Sequence, residues 1–176
     1  MRIAISIFGR DRPGIIATLT SALADKGANI EDASMTLLQG HFAMILVISI
    51  DKISEEQLSD FLTSMPELEG FSVSFSNELG DLEPGQVEQK IAKYIFHLSV
   101  SDTPGIVAKV TEVLGNNGAN VVDCATRKNN ATGVFSMILD VDVPLVIEDQ
   151  IVEQLGDVAK DFSGDVVFQR VDDVDL

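Results

Sequence analysis

Two short loops in this chain carry residue types suited to holding a small charged molecule. The first reads Arg10-Asp11-Arg12-Pro13-Gly14-Ile15 and the second Ser101-Asp102-Thr103-Pro104-Gly105-Ile106. Each stands directly before a segment with helical periodicity. A helix N-terminus presents unpaired N–H groups and a partial positive charge, which together seat a carboxylate. Gly14 and Gly105 would let a ligand approach the backbone closely. Asp11, or Asn29 further along, can hold an ammonium group. An α-amino acid carries both charges and suits such a loop. The competing reading is local: Asp11 and Asp102 cap their helices, while Asn29 and Asn120 merely open strands after a glycine cap. The loops also differ in charge. Arg10 and Arg12 flank Asp11, so two of only 12 basic residues fall there, whereas Ser101 and Thr103 flank Asp102. Arg12 suits bidentate recognition of a carboxylate, the alternative being a surface ion pair of little energetic value. The first loop is therefore expected to discriminate ligands by charge, and the second, which has no cation of its own, much less so.

Residues for catalysis do not assemble. His41 and His97 are 56 positions apart, and neither shares a metal-ligand spacing with Cys124. His97 alternates with apolar neighbours, the pattern of a packed or interface histidine. Nucleophile-elbow, P-loop and dinucleotide-binding motifs are missing from the sequence. The expectation is a chain that is not an enzyme and takes no cofactor and no metal.

The elements that must position these loops occur twice. Asp11-Arg12-Pro13-Gly14-Ile15-Ile16-Ala17 recurs as Asp102-Thr103-Pro104-Gly105-Ile106-Val107-Ala108, an offset of 91. Gly27-Ala28-Asn29-Ile30 recurs at the same offset as Gly118-Ala119-Asn120-Val121. Gly40-His41-Phe42 then matches Gly133-Val134-Phe135 at an offset of 93, so the second copy has two more residues in a turn. Cys124 replaces Ala33, which reads as a small buried hydrophobe. Each copy opens with an alternating strand (Ile3, Ile5, Ile7; Tyr94, Phe96, Leu98, Val100). Pro13 and Pro104 suit the first turn of the helix that follows. Its apolar face is Ile15, Ile16, Leu19, Ala22 and Leu23, repeated as Ile106, Val107, Val110, Val113 and Leu114. Gly27 and Gly118 end the helices. Strands over 29–38 and 42–50, then 120–128 and 134–143, follow. A capping box at Ser54 and Gln57 starts a second helix, which buries Leu58, Phe61, Leu62 and Met65. Ile147, Ile151, Leu155, Val158 and Phe162 mark its counterpart. Strands near 71–76 and 165–171 close the units. The order βαββαβ, twice, predicts an α+β chain of two ferredoxin-like domains in tandem. The first spans 1–77 and the second 91–172, joined by a linker over 78–90 and followed by an acidic, solvated tail over 173–176.

A net charge of −16, spread over both halves, repels phosphate backbones and anionic membranes, which excludes direct nucleic-acid binding and membrane association. A single cysteine permits no intramolecular disulfide. The first residues lack the pattern of a secretory signal, and the longest apolar run, Phe42 to Ile48, has only strand length. A soluble, cytoplasmic protein is expected. That run is apolar on both faces of its strand, whereas its counterpart turns polar at Ser136, Asp140 and Asp142. The outer face of the first sheet is therefore expected to meet another domain or subunit, whether by pairing within the chain or in a homodimer.

A strand, then Asp-x-Pro-Gly-Ile, a helix, Gly-Ala-Asn followed by Ile30 or Val121, and two more strands resembles the ACT domain, the small regulatory module of amino-acid metabolism. The likeness covers both halves. It implies a small ligand, often an amino acid such as glycine, bound at an interface between paired domains. It further implies control of a partner regulatory protein, with transcription regulators of amino-acid metabolism among the candidates. In the serine-binding members of the family, an amide two residues before the loop proline and the asparagine opening the second strand contact the ligand. The matching positions are Asp11 and Asn29, then Asp102 and Asn120. A histidine in those domains falls at Gly9 or Val100, where this sequence departs from the pattern. The alternative is a structural or interaction subunit whose domains bind no ligand.

Overall fold

A computed structural model describes residues 1–77 and 90–171. The linker expected over 78–90 and the tail over 173–176 fall outside these residues, apart from Lys90. The chain divides into two compact units, each holding one copy of the repeat.

In the first unit β1 (Arg2–Arg10) leads to α1 (Ile15–Asp25), β2 (Asn29–Leu38), β3 (His41–Ser49), α2 (Glu55–Thr63) and β4 (Ser72–Ser76). The second unit repeats this with β5 (Ile91–Ser101), α3 (Ile106–Asn116), β6 (Asn120–Asn129), β7 (Val134–Pro144), α4 (Glu148–Asp161) and β8 (Asp165–Val171). Both sheets are antiparallel, with orders β2-β3-β1-β4 and β6-β7-β5-β8. These are the two ferredoxin-like domains expected from the sequence.

Alternation fixes which face is buried. Ile3, Ile5 and Ile7 on β1 lie beside Ile48, Leu46 and Met44 on β3, and all six are buried under the helices. Tyr94, Phe96, Leu98 and Val100 do the same in the second unit. Ser54 and Gln57 form the reciprocal capping box of α2, at 3.0 and 3.2 Å. The first helices end in the same motif. Ala28 N–H bonds the Leu23 carbonyl at 3.0 Å, and Ala119 N–H bonds that of Leu114 at 3.0 Å, each across a glycine.

Several positions differ from the sequence reading. Pro13 and Pro104 lie before the first helices and not in their first turns; the N-cap positions are Gly14 and Gly105. Val107 is 43% exposed while Ile106, Val110 and Leu114 are buried, so the apolar face of α3 is narrower than its composition. Ile147 belongs to a short 3-10 turn ahead of α4. The helices cover the central strands and leave the edge strands largely uncovered, with every residue of β2 exposed and every residue of β6 but Val121. Cys124 sits on β6 opposite Leu139, on the helix side, yet no helix reaches over it, and it is exposed where the sequence suggested burial. His97 is exposed too, on the outer face, with Nε2 2.8 Å from Ser136 Oγ.

Candidate functional site

The first loop leaves β1 at Arg10 and is tied to the hairpin beside it, Asp11 N–H bonding the Gly40 carbonyl at 3.0 Å. The second loop is tied identically, Asp102 N–H to the Gly133 carbonyl at 3.0 Å. Gly14 has φ +87° and Gly105 φ +98°, a left-handed conformation that resists any residue with a Cβ. That is the primary reason for glycine in both Pro-Gly pairs, since the space around each is open. No side chain caps α1 or α3. The local reading of Asp11 and Asp102 as helix caps is therefore replaced: no side chain takes the N–H groups of either first turn, although Ile15 N–H bonds the Arg12 carbonyl at 3.4 Å.

Two open-sided hollows meet at the first loop. One, of about 520 Å³, is lined by Asp11 to Ala17 and walled by Met35, Leu37 and Phe42. The other, of about 380 Å³, is lined by Arg12 to Ile15 with Thr18, Pro66 and Glu67. Small-molecule sites commonly occupy about 300–1,000 Å³. Asp11, Arg12, Pro13, Gly14 and Ile15 thus come together. Arg10 is separated from them: strand alternation turns it to the outer face, beside His41. Asn29 and Ile30 are also apart. Asn29 pairs with Ser49 at the end of the sheet where β1 begins, whereas Asp11 lies where β1 ends. Within one domain the strand-opening asparagine cannot reach the loop. Asn120 and Val121 stand equally far from Asp102, Thr103, Pro104, Gly105 and Ile106, Asn120 pairing with Asp142.

Arg12 is held by an aromatic ring and, among the described residues, by no acid. Its guanidinium lies 5.2 Å from the centre of Phe71, which packs edge-on against Phe42 at 6.4 Å. The second loop is arranged otherwise. The Lys128 ammonium, reaching from β6, pairs with the Asp102 carboxylate, and Thr103 Oγ1 donates to the Ser101 carbonyl at 3.2 Å. The expectation that this loop has no cation is corrected: the cation comes from a neighbouring strand. The repeat alignment already sets Lys128 against Leu37, the residue walling the first hollow. Met35, Leu37, Phe71 and Lys128 are the site residues the sequence reading missed. For the first two the signal was alternation along β2, which puts them on the helix side opposite Met44 and Phe42.

Nothing among the described residues forms a cluster of metal-ligating side chains. Although Cys124 is exposed, desolvation by its strand neighbours first and the Asp123 carboxylate second push its thiol above its usual pKa, which disfavours the reactive thiolate. No described helix is long and apolar enough to cross a membrane.

The topology and the paired Asp-x-Pro-Gly loops define a class, and comparison with known proteins agrees. An ACT-domain model matches residues 2–76 and another ACT-domain model matches residues 93–149. The chain belongs to the ACT-domain family and carries two such domains in tandem. ACT domains typically bind small ligands such as amino acids in regulatory settings. Among individual relatives, a UPF0237 protein of Methanopyrus kandleri is 37% identical over 79 residues, covering 44% of this chain and 88% of its own. One from Methanocaldococcus jannaschii is 40% identical over 68 residues, covering 39% and 71%. Over both domains the fold matches an uncharacterised protein of Galdieria sulphuraria, with TM-score 0.82, 29% identity and coverage of 97% and 98%. It also matches a protein proposed to be a glycine cleavage system transcriptional repressor, with TM-score 0.64, 15% identity and coverage of 98% of each chain. At that identity the second likeness is one of fold.

Proposed function

We propose that this chain is a non-enzymatic regulator whose first domain binds a small zwitterion, an amino acid such as glycine, and thereby controls a partner protein. The observation that carries the proposal is the hollow of about 520 Å³ at the start of α1. There an uncapped helix end and the Arg12 guanidinium favour a carboxylate, and the Asp11 carboxylate favours an ammonium. Met35 and Leu37 give an apolar wall for a small side chain. The fold likeness to a protein proposed to repress the glycine cleavage system supports glycine as the first ligand to try and a transcription regulator as the first partner. A net charge of −16 favours protein contact over DNA contact. In this reading the protein acts in the cytoplasm.

The second reading, a structural subunit without ligand, gains from one observation: the second loop satisfies Asp102 internally through Lys128. Thermal unfolding against the proteinogenic amino acids separates the two. A ligand at 100 times its dissociation constant stabilises the folded state by about 2.7 kcal/mol. A shift with one amino acid and not with its amide or its decarboxylated amine supports the regulator. No shift with any of them leaves the structural subunit.

A further inference from the structure

We propose that the amino acid bound at the first loop is a basic one, its side-chain cation held by Glu67, an assignment that rests on the reading of this loop as an amino-acid site. In that reading Arg12 and the start of α1 hold the α-carboxylate, and Asp11 holds the α-ammonium. The side chain then has a place of its own in the second hollow, of about 380 Å³.

The two hollows join over Gly14. Both are lined by Arg12, Pro13, Gly14 and Ile15, and a Cβ built on Gly14 meets no heavy atom within 4 Å. A ligand side chain can therefore pass from one hollow into the other without displacing protein atoms. Pro13, from the loop, and Pro66, from the turn after α2, line its course with rigid apolar rings. Such surface suits a methylene stem, which packs on apolar groups while its charged head stays at the rim. Beyond the rings, Thr18 offers a hydroxyl and Glu67 a carboxylate. The short turn that carries Glu67, Pro66–Leu68, is anchored. Leu68 is buried, and its N–H bonds the Met65 carbonyl at 2.9 Å.

Charge decides what the stem must end in. Glu67 has no ion pair among the described residues. Arg12 lines both hollows, but its guanidinium lies on Phe71 and is the partner of the α-carboxylate. Loop and turn together present two carboxylates, Asp11 and Glu67, and one guanidinium. The complement is a ligand with two cations and one anion, the pattern of lysine and ornithine. A net charge of −16 draws such a ligand in and opposes an acidic one. The second domain is built differently: α4 leads through Phe162 to Gly164 into β8, with no turn corresponding to Pro66–Leu68.

Calorimetric titration of the full chain with glycine, L-lysine, L-norleucine and L-glutamate tests the assignment. Norleucine has the four-carbon stem of lysine without its ammonium. Lysine should bind more tightly than norleucine by on the order of fivefold, as expected of a solvent-exposed ion pair. Glutamate should bind most weakly of the four. Glu67→Gln should bring the lysine-to-norleucine ratio to within about twofold of unity, and Glu67→Asp should retain part of the preference. Glu67 is exposed, so both variants should unfold as the unmodified protein does. Equal affinity for lysine and norleucine overturns the proposal. So does a preference for lysine that survives Glu67→Gln, or tighter binding of glutamate than of norleucine. Binding of glycine without a preference for lysine leaves the amino-acid site standing and removes the side-chain assignment alone. Binding of none of the four removes both.

Discussion

The Arg12 guanidinium stacks on Phe71, 5.2 Å from the ring centre, and the same ring fills the space above Gly9. A Cβ built on Gly9 would lie 2.5 Å from Phe71 Cδ1. Gly9, Phe71 and Arg12 thus form one stack in which the missing side chain on β1 lets the ring lie flat and the ring holds the loop cation. In the second domain the sizes are exchanged. Val100 takes the place of Gly9, and Gly164 comes so close to the backbone of Ser99 and Val100 that it has no room for a side chain. Each domain therefore pairs one glycine with one larger residue at this crossing, and only the first arrangement supplies a platform for an arginine.

From this stack comes a stability prediction. Gly9→Ala should destabilise the first domain by about 1–3 kcal/mol through overpacking, read as a lower urea midpoint. Combining it with Phe71→Leu should recover part of the loss, since a flexible side chain can yield where a ring cannot. Gly164→Ala should have no comparable rescue, because its collision is with backbone. Equal and strictly additive losses for Gly9→Ala and Phe71→Leu would dissolve the stack as a unit.

A second prediction concerns alkaline pH. Tyr94 is buried, and its hydroxyl donates to the Glu148 carboxylate, which also accepts from Arg170 at 3.1 Å. Burial first, and the Glu148 hydrogen bond second, push the Tyr94 pKa up to about 12. The raised value means that the folded state holds the phenolic proton longer than the unfolded chain. The stabilisation is complete below about pH 10 and is lost as pH rises towards 12, at most about 2–3 kcal/mol. Chemical unfolding from pH 8 to 11.5 should show this fall. Tyr94→Phe should be less stable at pH 8 by about 1.5–3 kcal/mol, since the lost bond has a charged acceptor. Its stability should then change less between pH 10 and 11.5. An unchanged slope in the variant would assign the alkaline loss to other groups.

Local patterns in the sequence carried most of the fold. The Ile3-Ile5-Ile7 alternation, the Ser54/Gln57 capping box and the repeated Pro-Gly loops each depend on neighbours a few residues away, and each appears where expected. What failed depends on which elements lie over which strands. Cys124 has an apolar pattern position, but its strand is uncovered, so position did not decide burial. Pro13 marked the helix start without showing that Gly14 would take the N-cap with positive φ. At the site, the loop was legible and its walls were not. Phe71 follows Arg12 by 59 residues, and Lys128 follows Asp102 by 26. Such pairings come from sheet order and not from any local motif.

Arg12 gives a third prediction, which rests on the proposed ligand. A charge-assisted hydrogen bond contributes about 1.5–3 kcal/mol, less where solvent reaches it. Arg12→Ala should therefore weaken a carboxylate ligand about tenfold in calorimetric titration. Thr103→Ala should leave the affinity nearly unchanged, because that hydroxyl is engaged by the Ser101 carbonyl. The competing account is that stacking on Phe71 merely stores the arginine away from the hollow. Phe71→Leu distinguishes them: if the ring positions Arg12 for the ligand, this variant should lose affinity in the same direction as Arg12→Ala.

The sharpest prediction uses the exchange of Leu37 for Lys128 between the two copies. Both residues stand on the edge strand beside the loop, Leu37 opposite Phe42 and Lys128 opposite Phe135. In the second domain the lysine occupies the carboxylate that a ligand ammonium would need. In the first domain the leucine keeps the wall apolar, and the Asp11 carboxylate has no ion pair among the described residues. Leu37→Lys should place an ammonium against Asp11 and lower ligand affinity by more than tenfold, with little change in unfolding because Leu37 is 56% exposed. Lys128→Leu should do the reverse, exposing Asp102 and creating a second, weaker binding event. It should be weaker because that loop still lacks the Arg12 counterpart. Loss of this surface ion pair should change stability by less than about 1 kcal/mol. Stoichiometry in calorimetry reads both effects, rising from one site per chain towards two in Lys128→Leu. If Leu37→Lys binds as tightly as the unmodified protein, the ammonium of the ligand is not held by Asp11, and the difference between the two loops rests on Arg12 alone.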